Sequence, residues 1–351
     1  IKSGTENEGR EASLTIRELT LNIDAPENDA INAEQTLNVE SGTLNISAGD
    51  DALHSDYTLN IGAEDTAGPT ITISTCNEAL EGATLNVFSG TIDITATDDC
   101  LNAANGDLTD YDFSLTISGG TITAYTSGGD GFDSNGNLTI SGGSIAVWTA
   151  NTADNQPLDA DGTITITGGT VLAAGGSAGM GYTIDASQGY VTYGSGMGVD
   201  STVRLTKDST FTITDSDGNT VYSGTALCDA SYVFYCAQDV TADSDYTLTT
   251  GSTTLATATA QTGTSRANFG SMGGGQNGMT PPDGANGQTP PDGANGQTPP
   301  AMNGSAPGGQ APDGQQGGTP PEKPTGTPSG NPPQMPAQNN ATSQAETTAD
   351  V

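Results

Sequence analysis

The chain has 351 residues, with 42 acidic and 7 basic side chains and a formal net charge of −35. This balance excludes nucleic acid as a partner, because such binding depends on basic side chains that neutralise phosphates. It excludes anionic membrane surfaces for the same reason. The sequence has no Lys or Arg between Glu18 and Val203, and no apolar run long enough to insert into a membrane.

One short phrase recurs along the first part of the chain: an acidic, a small, a large apolar, a polar and a small residue. The clear copies are Asp29–Ala33, Asp51–Ser55, Glu78–Gly82, Asp99–Ala103 and Asp130–Ser134, with weaker copies at Gln156–Ala160 and Tyr182–Ala186. The intervals of 21 to 31 residues between their central apolar residues are typical of a stacked repeat, with length differences absorbed by loops. The chain begins inside a further copy, at Ile1, which predicts additional coils before it.

Between these copies the sequence alternates apolar and polar residues, as half-buried strands do. A first strand is predicted at Leu85–Val87, Leu115–Ile117, Leu138–Ile140 and Ile164–Ile166, and a second at Thr91–Thr95, Thr121–Tyr125, Ser144–Trp148 and Thr170–Ala174. A turn with Ser or Thr and Gly separates the two. Strand, glycine turn, strand and acidic corner make one coil of an all-β solenoid. We predict a right-handed parallel β-helix over residues 1–203, since parallel crossovers are right-handed; a β-sandwich would not repeat the corner.

The pattern changes after residue 203. Residues 204–262 contain hairpin-like strands and are predicted to form a small β-rich cap, because the last coil of a solenoid exposes apolar edges. Residues 263–351 are dominated by Gly, Pro, Gln, Asn and Thr, which predicts a disordered tail. Cys228 and Cys236 flank a predicted hairpin, which leaves a disulfide between them open. Cys76 and Cys100 lie on neighbouring coils at non-equivalent positions.

The acidic corners predict a metal site. Equivalent residues on parallel coils lie about 4.8 Å apart, so the carboxylates stack without a basic residue to offset their repulsion. Proton sharing, solvated corners and a bound cation are the possible outcomes. Oxygen ligands favour Ca²⁺ over Mg²⁺ or zinc. The candidate ligands are Asp50, Asp51, Asn77, Glu78, Asp98, Asp99 and Asp130.

Alternation also predicts outward-facing side chains. Tyr125 and Trp148, the only tryptophan, face away from the core at equivalent positions, where they form either a sugar-stacking platform or a surface covered by a loop. A further outward set is expected to form one structural amide ladder: Asn22, Asn38, Asn45, Asn60 and Asn86.

The corner phrase, the Ser-Gly-Gly-Thr turn and the Gly/Pro/Gln/Asn-rich tail together resemble a family of exported bacterial carbohydrate-binding proteins. That family has a polysaccharide-lyase-like parallel β-helix and was defined by a cellulose- and pectin-binding member that carries calcium. The resemblance covers roughly residues 1–250. It implies an extracellular or cell-surface, non-catalytic protein that binds plant cell-wall polysaccharide through Ca²⁺ on the acidic corners. Gln156 and Tyr182 replace the acid in the later coils, and no site is expected there.

Two other functions remain open. A pectin-degrading lyase or hydrolase is disfavoured, because the solenoid has no Arg or Lys between Glu18 and Val203 to act as a base and has no convergent His. His54, the only histidine, is interpreted as a polar corner residue equivalent to Asn32, Glu81 and Asn102. A calcium-stabilised adhesin or stalk without a glycan ligand is the other alternative. In each case we expect a monomer.

Overall fold

The computed structural model describes residues 1–4, 12–150, 155–176, 183–194 and 203–266. The described chain is all-β and contains no helix, so it has no helical segment that could cross a membrane. It forms a parallel β-solenoid of about seven turns, followed by antiparallel strands. The predicted fold class is therefore confirmed. The predicted tail lies almost wholly outside the described residues.

Each coil contributes to three stacked rows of strands. The corner row holds the recurring phrase, in Lys2–Ser3, Ile31–Ala33, the first part of Leu53–Ile61 and of Leu80–Val87, Leu101–Ala103 and Phe132–Ser134. The first row holds Ser13–Ile16, Thr36–Val39, the later parts of Leu53–Ile61 and Leu80–Val87, Ser114–Ile117, Asn137–Ile140, Ile164–Ile166 and the start of Thr183–Gly194. The second row holds Leu19–Ala25, Gly42–Ala48, Thr70–Thr75, Thr91–Ala96, Thr121–Thr126, Ser144–Thr149 and Thr170–Gly175.

The register confirms that the phrase marks the corner of each coil. Its central apolar residues lie opposite one another from coil to coil: Ile1, Ile31, Leu53, Leu80, Leu101, Phe132 and Leu158. The last copy, at Tyr182–Ala186, was assigned to the wrong row. Ile184 pairs with Ile164, so it continues the first row rather than the corner row.

The interior is a continuous aliphatic stripe. Leu and Ile side chains at inward positions of all three rows are buried, and small residues fill the corners. The Ser-Gly-Gly turn between the first and second rows requires glycine as its last residue. At Gly143 φ is +90°, and a Cβ atom there would lie 2.9 Å from the carbonyl oxygen of Gly120 on the preceding coil. The Gly-Gly turn is thus imposed by both backbone conformation and stacking.

The C-terminal β region interlocks with the last coils. Strand Tyr232–Cys236 pairs antiparallel with Thr170–Gly175 on one side and with the end of Thr183–Gly194 on the other. Strand Gln261–Arg266 pairs with Thr183–Gly194 and extends beyond the predicted boundary at residue 262. A separate antiparallel sheet contains, in spatial order, Thr220–Thr225, Thr210–Thr214, Asp245–Thr250 and Thr253–Thr259.

A second apolar cluster joins this sheet to the outer face of the second row. Leu172 and Ala174 from the solenoid pack there with Phe211, Ile213 and other residues of the C-terminal region. The C-terminal region therefore covers the flank of the last coils in addition to their end.

The four cysteines are free and buried, so the disulfide left open between Cys228 and Cys236 is not formed. The expected single asparagine ladder is in fact two ladders on different rows. Asn60 donates its amide to Asn38 and accepts one from Asn86, while Asn45 donates to Asn22. The amides do satisfy one another, as the structural interpretation requires.

Candidate functional site

The corner row stacks polar side chains as well as apolar ones. The acidic positions of successive phrases are equivalent, because the residue after each acid donates its backbone N–H to the carbonyl of the acid on the next coil, as Ala52 does to Glu78. The polar position that follows the apolar residue forms a second ladder. Its register partners are Asn32, His54, Glu81, Asn102 and Asp133.

His54 is the second member of this ladder and contacts three carboxylates. Its Nδ1 atom lies 3.0 Å from Oδ2 of Asp51 and 2.5 Å from Oε2 of Glu81, and its Nε2 atom lies 3.1 Å from Oδ1 of Asp56. Both ring nitrogens therefore face carboxylate oxygens, which accept hydrogen bonds and cannot donate when ionised. This arrangement requires the doubly protonated, cationic imidazole.

The pKa values agree with that assignment. Burial lowers the pKa of His54, but its hydrogen bonds to Asp51 and Glu81 outweigh burial and raise the pKa to about 11. Burial raises the pKa of Asp51 to about 6 against the opposing effect of its bond to His54. The only histidine of the chain is thus a fixed cation inside an acidic corner.

An aromatic side chain stands beside this corner because of a β-bulge. Between Ser55 and Thr58 the strand carries two residues, Asp56 and Tyr57, where the next coil has only Ala83 between Gly82 and Thr84. Bulges redirect side chains and increase local twist. Tyr57 is one of three large apolar or aromatic side chains that are exposed among the described residues, with 41% of its surface accessible.

A long loop faces the bulge from two coils away. Residues 104–113 are inserted between the corner strand Leu101–Ala103 and the first-row strand Ser114–Ile117. The amide Nδ2 of Asn105 donates to the carbonyl oxygen of Asp56 at 2.7 Å. The ring of Tyr111 lies edge-on to Tyr57, with centroids 6.3 Å apart, and its hydroxyl is 3.0 Å from Oγ1 of Thr84.

The bulge and the loop enclose a pocket of about 390 Å³, which we call the corner pocket. Its lining residues are His54, Asp56, Tyr57, Glu81, Asn105, Gly106, Asp107 and Leu108. The pocket combines an exposed aromatic ring, several carboxylates and an open mouth. These groups suit a polar ligand with a flat apolar face, since such ligands are held by one stacking surface and a few directed hydrogen bonds.

Two further groups of carboxylates lie along the corner row. The C-terminal acidic trio comprises Asp130, Asp133 and Asp159, which offer oxygen atoms within 4.8 Å of one another. Burial is the main cause that raises the pKa of Asp130 to about 7 and of Asp133 to about 6, and nearby carboxylates including Asp159 raise both further. No Lys or Arg among the described residues forms an ion pair with these carboxylates, so their repulsion is not offset by a side-chain cation.

Buried amide oxygens adjoin this trio. Asn102, which is 7% exposed, is the register partner of Asp133, and its Nδ2 atom donates to Glu78. That bond fixes the amide orientation and leaves Oδ1 of Asn102 without a hydrogen bond from any described residue. Oε1 of Gln156 likewise accepts no hydrogen bond from a described residue. Gln156 is 6% exposed, and its backbone N–H donates to Asp130. Oxygen atoms that lack donors, next to carboxylates, form a suitable set for a hard cation.

The N-terminal acidic trio comprises Asp29, Asp50 and Asp51, again with oxygens within 4.8 Å. Burial, followed by repulsion from Asp51 and Asp29, raises the pKa of Asp50. Asn32 donates to Asp29 at 2.7 Å, and its own Oδ1 atom is buried without a hydrogen bond from a described residue. The group formed by Asp51, His54 and Glu81 is also compact. It does not fit calcium, because one of its three members is the imidazolium of His54, which is a cation and offers no lone pair to a metal ion.

The residues predicted as metal ligands are therefore divided. Asp50 and Asp51 lie in one trio and Asp130 lies in the other. Glu78 and Asp99 separate the two and are engaged within the protein: Glu78 accepts from Asn102, and Asp99 accepts the backbone N–H of Asp130 at 2.6 Å. Burial raises the pKa of Asp99 to about 8. Asn77 donates its backbone N–H to Asp50, and Asp98 donates its own to Asn77; neither residue belongs to a three-ligand group of described residues.

Of the two interpretations of Tyr125 and Trp148, the structure agrees with the covered surface. Tyr125 and Trp148 are register partners on the outer side of the second row, as expected. Trp148, however, is 2% exposed and packs edge-on against Phe211 of the C-terminal region, with ring centroids 5.7 Å apart. Tyr125 is half-buried against the same cluster. The indole is therefore part of a core and is not available to stack on a sugar.

Sequence analysis missed the residues that form the corner pocket. His54 was assigned a minor role, and Tyr57, Asn105 and Asp107 were not considered. One signal pointed to the loop: the interval from Leu101 to Phe132 is 31 residues, against 21 for the preceding coil. Asp29, Asp133 and Asp159 were also missed as members of the acidic trios, although each belongs to a copy of the phrase.

Comparison with known proteins identifies one family. Residues 7–179 match the sequence model of a family described as carbohydrate-binding domain-containing protein. This stretch includes the corner pocket and both acidic trios. No curated protein and no solved structure gives a significant match. Over this stretch the chain is similar to carbohydrate-binding domain-containing proteins.

Proposed function

We propose that this chain is a secreted bacterial protein that binds cell-wall polysaccharide without cleaving it, as a monomer. The family match supports glycan binding in general. The observation that supports the corner pocket as the glycan site is the exposed ring of Tyr57 in its lining. A pyranose ring presents an apolar face that packs on such a ring, while its hydroxyls bond to carboxylates and amides at the edge.

The position of Tyr57 is fixed before any ligand arrives. Its ring contacts Tyr111, which in turn lies 5.3 Å from Phe113 between ring centroids, and the bulge fixes its backbone. A ring held in this way loses little side-chain entropy when it binds, which favours its use as an anchor. Cellulose and pectin are the proposed ligands. Cellulose presents neutral, flat pyranose faces to Tyr57, whereas pectin is proposed to bind through its carboxylates at the calcium sites described below.

The corner pocket is poorly suited to catalysis. His54 is the only histidine, and both its nitrogens face carboxylates, so it has no free lone pair with which to accept a proton from a substrate. The solenoid from Glu18 to Val203 offers no Lys or Arg as an alternative base. These features support a binding role over lyase or hydrolase activity.

Calcium is proposed at the two acidic trios, with the C-terminal trio the better fit. Its three carboxylates lie within 4.8 Å, a separation that one Ca²⁺ spans with bonds of about 2.3–2.6 Å. Asn102 is the register partner of Asp133 and Gln156 donates its backbone N–H to Asp130, so the unpartnered side-chain oxygens of these two residues are further potential ligands. A bound cation would remove the repulsion among these acids. It would also allow the anionic protein to bind the carboxylates of polygalacturonate.

The glycan proposal is tested by binding the full-length chain to insoluble cellulose and to a polygalacturonate gel. Tyr57→Ala should weaken binding to cellulose by about tenfold, since stacking on an aromatic ring is worth about 1–2 kcal/mol. The matched control is Tyr246→Phe, which changes a tyrosine in the C-terminal sheet and should leave binding unchanged. Equal binding of wild type and Tyr57→Ala to both polymers would exclude the corner pocket as the glycan site.

The calcium proposal is tested by thermal unfolding of the full-length chain with Ca²⁺ and with EDTA. A ligand at 100 times its Kd stabilises the folded state by about 2.7 kcal/mol, so Ca²⁺ should raise Tm by several degrees. Asp133→Asn should remove most of this increase, whereas Asp65→Asn in a distant loop should retain it. An identical Tm with Ca²⁺ and EDTA would refute the calcium sites and leave the Tyr57 result intact. If calcium stabilises the chain but the chain binds neither polymer, the alternative function of a calcium-stabilised adhesin or stalk would be favoured.

A further inference from the structure

We infer that the corner pocket selects a pyranose ring that carries a protonated amine, as in a glycan of hexosamine units, over the neutral ring. This inference rests on the proposed glycan function and names the class of sugar that the pocket accepts best.

The charges that line the pocket are the first support. Asp56, Glu81 and Asp107 contribute three carboxylates, whereas His54 is the only cationic side chain in the lining. Asp51 lies behind them and shares the same imidazolium. Every N–H of His54 is directed at a carboxylate within the protein, so the pocket presents no side-chain cation to an anionic ligand. An incoming carboxylate is repelled and an incoming ammonium is attracted.

The supply of hydrogen-bond acceptors is the second support. An ammonium group has three N–H donors and no acceptor. The side chain of Asp107 is exposed and lines the pocket from the loop, and its carboxylate makes no hydrogen bond or ion pair with a described residue. The Asn105 amide is used within the protein, since its Nδ2 atom donates to Asp56 and its Oδ1 atom accepts the N–H of Asp107. The free groups of the pocket are therefore mainly acceptors.

The third support is the proximity of these acceptors to Tyr57. The aromatic ring and the carboxylates line one pocket of about 390 Å³, a volume within the range of small-ligand sites. A sugar stacked on Tyr57 brings a ring substituent to the acidic wall. The π-face of Tyr57 also attracts a nearby cation. A ligand that carries both a sugar ring and a positive charge can thus stack on Tyr57 and contact the carboxylates at the same time.

The test compares three β-1,4-linked tetramers that differ only in one ring substituent: hydroxyl, acetamide or amine. Binding to the full-length chain is measured by calorimetry at about pH 6, below the pKa of an amine close to the α-amino value of about 7.7. We expect the glucosamine tetramer to bind at least about fivefold more tightly than cellotetraose or the N-acetylated tetramer. Added salt should reduce this preference. Equal affinity for all three tetramers would overturn the inference while leaving glycan binding intact.

Two variants and a ringless cation complete the design. Asp107→Asn should weaken binding of the glucosamine tetramer by about three- to fivefold more than it weakens binding of cellotetraose. Asp65→Asn makes the same charge change in a distant loop and should affect neither. Spermidine should bind more weakly than the glucosamine tetramer; spermidine binding as tightly would indicate general cation attraction and overturn the inference. Loss of all three tetramers in Tyr57→Ala would support the pocket as the shared site, and unchanged binding there would overturn both proposals.

Discussion

Trp148 provides the most direct test of the way in which the C-terminal region packs on the solenoid. Its indole is 2% exposed and contacts Phe211 across the second apolar cluster. A buried tryptophan removes about 150–250 Å² from water, which at about 25 cal/mol per Å² corresponds to roughly 4–6 kcal/mol. Truncation of buried aromatic residues to alanine costs about 3–5 kcal/mol. We therefore expect Trp148→Ala to lower the free energy of unfolding by about 4 kcal/mol, and Trp148→Phe by about 1–2 kcal/mol.

The assay uses the fact that Trp148 is the only tryptophan. Wild-type emission should be that of an indole in apolar surroundings, resistant to acrylamide, and should shift towards the emission of a solvated indole on unfolding in urea. The variants are followed by far-UV circular dichroism in the same urea series. Thr123→Ala, an outward position on the neighbouring strand, is the matched control and should change stability by less than about 0.5 kcal/mol.

The opposite result is equally clear. If the native indole were readily quenched by acrylamide, or if Trp148→Ala cost less than about 1 kcal/mol, the C-terminal sheet would not cover the second row. Trp148→Phe separates the two proposed locations of the sugar site, the corner pocket and the outer face of the second row. It should bind cellulose as wild type does, whereas an exposed platform at Trp148 would require it to bind more weakly.

Three further predictions concern other parts of the solenoid. Burial raises the pKa of the Cys76 thiol to about 12 and of the Cys236 thiol to about 11. A thiol reagent should therefore label none of the four cysteines in the native protein and all four in urea. Labelling of two or fewer cysteines in urea without reductant would indicate a disulfide. Asn60→Ala breaks two ladder hydrogen bonds and should lower stability by about 1–2 kcal/mol, while an unchanged Tm would show that the ladder is dispensable. The pKa of His54 is raised to about 11 from an ordinary value of about 6.5. Its contribution to the stability of the folded state is therefore complete below about pH 6.5 and is progressively lost as pH rises towards 11. The stability difference between wild type and His54→Gln should therefore be larger at about pH 6.5 than at about pH 9.5, and a constant difference would contradict the ion contacts with Asp51, Glu81 and Asp56.

The coil structure could be predicted from sequence because each coil repeats the same local requirements. The alternation and the Gly-Gly turn are decided within a few residues, and the phrase then sets the register from Ile31 to Leu158. Ile184 was misplaced because the chain there resembles the phrase but continues the first row, where it pairs with Ile164. A local pattern does not state which row a strand enters after an irregular loop.

The candidate site was only partly predictable for a related reason. Stacking placed Asp51 and Asp130 correctly at equivalent corners, but the approach of Asn105 to Asp56 is a contact between a loop and a bulged strand on different coils. Alternation likewise placed Trp148 on the correct side of its strand without indicating that another part of the chain covers that side. Side-chain direction is a local property, whereas exposure depends on distant segments.

The position of strand Tyr232–Cys236 has a consequence for how the molecule is assembled. It lies between Thr170–Gly175 and the end of Thr183–Gly194, two strands that are close in sequence but do not hydrogen-bond to each other there. The final layer of the stack consequently cannot close until a segment made much later in synthesis has entered it. A chain shortened at residue 203 would leave both neighbouring strands with open edges, which are sites of self-association. Residue 203 marks a change of sequence pattern, but it is not a point at which the protein can be divided.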